Sequence, residues 1–257
     1  MVQKVFAERM AGLLGNDDSI IGLAVGGSLI TNDMDEFSDI DLVLVTKEKM
    51  GGDKERMLVH AEKYGKLLTA FTGEHVGEPR LLICLYDDPL LHVDIKFVTL
   101  EEFKTRVETP VILLDKNEQL KNALENSTAK FPVPGYQWIE DRFWTWVHYG
   151  AVKIMRGEYF EAHDFFGALR LMVLGPLLHV KNGKLPRGVR KAETSFTDEE
   201  LNELKHTLPG YNKQSLIECL KKTVDLYRKL RTSLFDNTVV LRKEAEKRVM
   251  EYVDAMK

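Results

Sequence analysis

Ile21-Gly22-Leu23-Ala24-Val25-Gly26-Gly27-Ser28, followed after ten residues by Asp39-Ile40-Asp41-Leu42-Val43-Leu44-Val45, is the stretch whose reading decides the fold. The first apolar run predicts a buried strand, the glycines a turn, and the second run another strand that carries two carboxylates into a core region. Side chains two apart in a strand point the same way, so Asp39 and Asp41 are expected on one face with their oxygens close enough to share a cation. Two carboxylates so placed repel unless positive charge sits between them. Mg²⁺ suits them, because this hard ion takes one or two carboxylates and leaves its other positions for water and phosphate oxygens.

The glycine turn has two uses at this point in the chain: a positive φ, and the absence of a side chain where a phosphate must approach the backbone. Between the two runs Asp33, Asp35 and Glu36 read as solvated loop charges, whereas Asp39 and Asp41 sit where apolar alternation has begun. Upstream, Val5, Phe6, Met10, Leu13 and Leu14 fall at helical spacing within residues 2–14, and Gly15-Asn16-Asp17 ends that helix. Downstream, residues 47–68 read as a helix, 80–86 as a third strand and 90–98 as a fourth, the last two joined by the turn Asp87-Asp88-Pro89. On the fourth strand His92, Asp94 and Lys96 share one face and Leu91, Val93, Ile95 and Phe97 the other. Asp94 is thus a third strand-borne carboxylate.

Strand signals stop near residue 130, and Phe131-Pro132-Val133-Pro134-Gly135 reads as a linker stiffened by its prolines. Helices are expected over residues 138–155, 158–178, 215–234 and 239–256, with another capped by Asp198 and carrying Glu199 and Glu200 in its first turn. Lys181, Lys184, Arg187, Arg190 and Lys191 gather in a loop that holds no acid. The expected architecture is therefore α/β: a domain of residues 1–130 with a mixed sheet and flanking helices, then an all-α helical-bundle domain of residues 131–257.

A hydrophobic share of 44% and a charged share of 30% place the chain among ordinary globular proteins and exclude a disordered one. The formal net charge of -4 argues against holding long nucleic acid, which draws on a basic face. Cys84 and Cys219, far apart and without metal-ligand spacing, are expected as free core thiols in a reducing cytoplasm. The N-terminal stretch is amphipathic and has no apolar run of the kind a signal peptide needs, and no eighteen apolar residues run together to span a membrane.

Val25-Gly26-Gly27-Ser28, the ten-residue gap, Asp39-Ile40-Asp41-Leu42 and Asp94 on a later strand together resemble the nucleotidyltransferase signature of the polymerase β superfamily, over residues 19–98. The resemblance implies that Asp39 and Asp41 bind two Mg²⁺ ions and that Asp94 completes the site of the ion that activates the attacking hydroxyl. Asp94 or a Glu of the helical domain then accepts the hydroxyl proton. It also implies that Gly26, Gly27 and Ser28 hold the phosphates of ATP or another NTP, with Lys96 either neutralising phosphate charge or pairing with a carboxylate.

Arg142-Phe143-Trp144-Thr145-Trp146, Lys153, Arg156-Gly157-Glu158 and the helix running to Leu169-Arg170 are similar, in pattern, to the second domain of antibiotic nucleotidyltransferases, especially those modifying streptomycin and lincosamides. That similarity implies an acceptor bound in the cleft between domains. Arg142, Trp146, Tyr149, Lys153 and Arg156 follow steps of three and four and form one stripe, which either lines a nucleotide cleft, with Lys153 as phosphate contact, or is a solvated face. Glu158, Glu161 and Asp164 are candidates to grip a cationic acceptor, or are ordinary helix-surface charges. Arg187 and Arg190 either close over the triphosphate or are simply solvated. His92 and His163 have no ligand-spaced partners and are assigned no metal.

The expectation is a Mg²⁺-dependent cytoplasmic enzyme, monomer or homodimer, that transfers AMP or another NMP to a hydroxyl of a small molecule and releases pyrophosphate. An aminoglycoside- or lincosamide-like acceptor, and with it antibiotic resistance, follows from the resemblance. The alternatives are a protein- or RNA-directed nucleotidyltransferase of the antitoxin kind, disfavoured by the length and charge of the chain, and a nucleotide-binding regulator without catalysis, disfavoured because all three carboxylates are present.

Overall fold

Ile20–Val25 is buried at every position, as befits a strand with neighbours on both sides and cover on both faces. It is β1 of a computed structural model that describes residues 1–30 and 33–257. The chain divides into two compact units, Met1–Phe131 and Pro132–Lys257. In the first, helix α1 (Val2–Leu14) precedes β1 and is followed by β2 (Ile40–Thr46), α2 (Lys54–Ala61), β3 (Lys66–Gly73), β4 (Glu78–Asp87), β5 (Leu91–Thr99), α3 (Leu100–Phe103), β6 (Val111–Asp115) and α4 (Gln119–Glu125). Among the described residues these strands form a six-stranded sheet in the order β3-β4-β5-β2-β1-β6. The sheet is mixed, β2 and β5 being parallel and the other pairs antiparallel.

Alternation along β2 and β5 sorts the two faces. Ile40, Leu42, Leu44, Val93, Ile95 and Phe97 enter the larger core beneath Phe6 and Met10 of α1 and Met57 and Ala61 of α2. Val45 and Val98 point the other way, into a smaller core with Phe103 of α3 and Leu120 and Ala123 of α4. That second face is apolar only toward one end. Asp41 and Asp94 lie on the same face beyond it, so the short reach of α3 and α4 leaves the carboxylates a polar sector of the sheet.

Three expectations for this unit change. The helix expected over residues 47–68 is confined to Lys54–Ala61, starting at Asp53, whose side chain accepts from Arg56 N–H at 3.2 Å. Gly65 then breaks the run, and Leu67 to Thr72, apolar enough to read as helix, instead pairs along β4 as the edge strand β3. The sheet thereby gains a strand, because tertiary pairing overrides the helical preference of the two leucines. The other edge strand, β6, lies in a segment that carried no assigned element, a five-residue run too short to declare its period.

The second unit is all helical: α5 (Tyr136–Met155), α6 (Tyr159–Leu169), α7 (Gly175–Lys181), α8 (Ala192–Ser195), α9 (Asp198–Lys205), α10 (Lys213–Leu234) and α11 (Lys243–Asp254). The helix expected over residues 158–178 is interrupted by a π-helical turn, Arg170–Leu174, and then runs on as α7 to Lys181 with Pro176 directly after the π turn, where the irregular ladder accommodates its missing N–H. Thr197, not Asp198, caps α9, in a reciprocal capping box with Glu200. The core stacks Phe143 of α5 on Tyr227 of α10, centroids 3.5 Å apart, and Gly150 leaves the space that the Phe165 ring fills.

Buried within this core is Glu140, fully inaccessible. It accepts hydrogen bonds from Trp144 Nε1 (3.2 Å), Tyr227 Oη (2.5 Å) and the Arg242 backbone N–H (2.8 Å), and Arg231 approaches it at 3.4 Å. One carboxylate thus ties α5 to α10 and to the start of α11, and its charge is compensated as burial requires. Cys84 and Cys219 are both buried free thiols, and burial pushes each thiol up to about 12, out of reactive range. Among the described residues no helix is long and apolar enough to cross a membrane.

Candidate active site

β1 ends at Val25, and the chain turns at Gly26-Gly27 into a single 3-10 turn, Gly27–Leu29. Gly26 N–H donates to the Asp41 carbonyl at 2.8 Å, which ties the turn to the start of β2. Gly27 has a φ of +62°, a left-handed conformation that glycine adopts without penalty. The space that a Cβ on Gly27 would take is filled by Oδ2 of Asp41, and a Cβ on Gly26 would lie 2.9 Å from Oε1 of Glu108. The positive φ expected at the turn is therefore present, and the groups that approach the two glycines here are the protein carboxylates of Asp41 and Glu108. Glu108 Oε1 also accepts the Gly27 N–H at 2.8 Å.

Asp41 and Asp94 are Cα partners in the parallel pair β2/β5. Paired positions lie about 4.8 Å apart across neighbouring strands and project to the same side, so the two half-buried carboxylates share one sector of the sheet. Asp39 sits immediately before β2, outside the strand. It lines a depression with Gln3, Phe37, Ser38, Leu90 and His92. Gln3, almost fully buried, fixes this approach: its amide donates to the carbonyls of Asp35 (3.2 Å), Glu36 (3.3 Å) and Ser38 (2.9 Å).

The side chains around Asp94 are already partnered. His92, one strand period away, places Nε2 2.9 Å from Asp94 Oδ1. Lys96, one period in the other direction, pairs not with a sheet aspartate but with Glu78 at 2.7 Å. Glu78 is also gripped by Arg80 through two hydrogen bonds of 2.7 Å. The Arg80 guanidinium first, and then Lys96, hold the Glu78 carboxyl down at about 2, far below its ordinary value.

With the carboxylates turned toward the Gly27 turn and His92, no group of three His, Cys, Asp or Glu side chains among the described residues is set around a common metal position. The donor chemistry nonetheless fits a hard cation. Asp41 and Asp94 offer carboxylate oxygens from adjacent register positions, and Asp39 offers a third from the entry to β2.

The helical unit gathers a second group of the expected residues. Lys153 Nζ lies 2.6 Å from Glu158 and 4.0 Å from Glu161, and 5.1 Å from the Tyr149 ring centroid. Tyr149 donates its hydroxyl hydrogen to Glu161, and Arg156 takes the other oxygen of Glu158 at 2.7 Å. The Glu158 carboxyl is held below its ordinary range, chiefly by Lys153, and the Lys153 ammonium is correspondingly raised. Trp146 packs edge-on against Trp138 at 5.5 Å, and Arg142 lies over the Trp138 ring at 4.3 Å. The stripe thus resolves into two local clusters. Arg187 and Arg190 sit in the turn after α7, Arg187 half-buried and Arg190 exposed.

Gln3 and Glu108 are the site-neighbouring residues that sequence reading did not pick out. His92 was placed on the face of Asp94 by its spacing of two but was given no role. Glu108 reaches the turn from 81 positions away, and no local pattern encodes that contact.

A family model described as streptomycin adenylyltransferase matches residues 3–256. Among solved structures, an aminoglycoside 6-adenyltransferase from Bacillus subtilis is 16% identical, with 99% of each chain covered and a TM-score of 0.42. A nucleotidyltransferase-like protein from Exiguobacterium sibiricum 255-15 is 13% identical, covering 99% of this chain and 87% of that one, with a TM-score of 0.40. No curated protein matches the chain.

Proposed function

Because the chain belongs to the streptomycin adenylyltransferase family, we propose that it transfers AMP from ATP to a hydroxyl of an aminoglycoside-like antibiotic and releases pyrophosphate, with Asp39, Asp41 and Asp94 as the catalytic carboxylates. The observation that carries this reading is the register of β2 on β5, which makes Asp41 and Asp94 neighbours beside a glycine turn whose open side accommodates an anionic group.

In this reading the acceptor oxygen forms a bond to the α-phosphorus, the bond from that phosphorus to the bridging oxygen breaks, and pyrophosphate leaves with the electron pair. Asp94 takes the hydroxyl proton, having first turned away from His92. At the turn, Gly27 and Ser28 offer backbone N–H groups and a hydroxyl to the β- and γ-phosphates, and Gly26, whose own N–H is held by the Asp41 carbonyl, offers the absence of a side chain. Lys96 stands on the same face as Asp94 and offsets phosphate charge through a change of partner from Glu78. When bound to Asp39, Asp41 and Asp94, Mg²⁺ would neutralise the charge that develops on the attacking and leaving oxygens.

In the helical unit, Glu158 and Glu161 beside Tyr149, with Trp146 nearby on α5, are assigned to the ammonium groups and rings of a cationic acceptor. Lys153, Arg187 and Arg190 are assigned to phosphate oxygens, Lys153 only after release from Glu158. A cytoplasmic location suits the two free thiols.

The test is to incubate the protein with each NTP in turn, Mg²⁺ and a panel of aminoglycosides and lincosamides, and to read product masses. An adenylylated antibiotic supports the proposal. Label transferred only to protein or RNA, or nucleotide binding without any transfer, contradicts it in favour of a macromolecule-directed enzyme or a regulator.

A further inference from the structure

We infer that Glu108 is an internal stand-in for a phosphate at the glycine turn, and that a polyphosphate binds there by displacing its carboxylate. The inference rests on the reading of Gly26, Gly27 and Ser28 as the phosphate-binding turn. It assigns Glu108 a role in specificity, favouring ligands with several phosphate oxygens over a single phosphate.

The geometry carries it. Glu108 Oε1 accepts the Gly27 N–H at 2.8 Å, the bond that a phosphate oxygen would make. The same oxygen lies 2.9 Å from the position of an ideal Gly26 Cβ, so the carboxylate sits on the open side of the turn that the two glycines keep clear. On its other side the turn meets the Asp41 carboxylate. Two carboxylates therefore flank one glycine pair, an arrangement that like charge disfavours unless N–H donors hold the anions in place.

The segment that delivers Glu108 is anchored near it. Arg106 donates to the carbonyls of Ser127 (2.7 Å) and Leu124 (3.3 Å), and Lys130 N–H bonds the Arg106 carbonyl at 2.9 Å. Glu108, two residues on, is half-buried and has solvent to turn into. Withdrawal of its side chain thus requires no release of the Arg106 anchor.

Two effects follow. Without ligand, Glu108 satisfies the Gly27 N–H and holds the turn in its left-handed form, so the site is preorganised. On binding, the ligand must first replace that bond, which lowers its apparent affinity by the fraction of molecules in which the turn is clear. A single phosphate gains little beyond the bond it replaces. A tripolyphosphate gains contacts to further donors and overcomes the competition.

The experiment is calorimetric titration of the protein, its Glu108→Ala variant and its Glu108→Gln variant with inorganic tripolyphosphate and with orthophosphate, both with Mg²⁺ present. Removing one charge-assisted competitor is expected to tighten tripolyphosphate binding by about tenfold in Glu108→Ala, with Glu108→Gln between it and wild type. Orthophosphate binding should become measurable in Glu108→Ala first. If the alanine variant does not fold, Glu108→Gln decides, since its amide oxygen still accepts the Gly27 N–H without the charge. Wild-type binding with both variants equal or weaker overturns the role of Glu108 alone. Absence of tripolyphosphate binding in all three proteins overturns this inference and the reading of the turn together.

Discussion

The Asp41 carboxylate fills the space that a side chain on Gly27 would need, so the end of β1 and the start of β2 are built around each other. Gly27→Ala should therefore be costly twice over: the left-handed φ of +62° costs an L-residue about 1–2 kcal/mol, and the new methyl group must push the Asp41 carboxylate aside. A displacement of that kind at one of the proposed catalytic carboxylates should lower adenylyl transfer at least about a hundredfold. Steady-state kinetics beside a thermal melt checks this, with a Tm only a few degrees lower.

Asp94→Asn keeps the volume and the hydrogen-bonding capacity of the side chain while removing its charge and basicity. Transfer should fall roughly a thousandfold, with the melt little changed, because the variant can still hydrogen-bond His92, whose side chain is 49% exposed, and surface pairs contribute little. A fall in stability without a fall in rate would make Asp94 a structural residue.

Glu140 makes a separate claim about the helical unit. Its carboxylate is fully buried and bonded by Trp144, Tyr227 and the Arg242 backbone. Glu140→Ala leaves those donors, and Arg231, without their acceptor and should destabilise the unit by about 3–5 kcal/mol. Tyr227→Phe removes one bond to this charged group and should cost about 2 kcal/mol. Denaturant titration followed by tryptophan fluorescence reads both, because Trp144 lies in the network.

Acid stability should depend on Glu78. Its carboxyl is held at about 2, against 4.5 ordinarily, by Arg80 and then Lys96. A folded-state value below the unfolded one means that the unfolded chain takes up the proton first. The stabilisation is complete above about pH 4.5 and is lost as pH falls toward 2. Glu78→Gln should flatten that acid limb in melts recorded from about pH 4.5 down to about pH 2.

How far the sequence speaks for this molecule can be read from β2, β3 and Glu108. β2 was legible because apolar alternation around Asp41 is a local signal, and parallel pairing with β5 then placed Asp41 beside Asp94. β3 was not: Leu67 and Leu68 continue the apolar pattern of α2, and only the partner strand β4 decides for a strand. The expected role of Lys96 met the same limit, since its pairing with Glu78 depends on the register of β4 against β5. The glycine turn was legible as a turn. That it encloses Asp41 and Glu108 carboxylates was not, because contacts across 81 positions leave no periodic trace. In the helical unit Glu158, Glu161 and Lys153 come together because a tight turn at Gly157, φ +75°, folds α6 back on α5.

The most direct test of the central claim compares wild type with Asp41→Asn, incubated with ATP, Mg²⁺ and streptomycin, by mass spectrometry of the antibiotic. Streptomycin, or a related aminoglycoside in its place, should gain one adenylyl group with the wild-type protein and none with the variant, while both proteins melt alike. Modified antibiotic formed at the same rate by Asp41→Asn, or by neither protein across the panel, would contradict it.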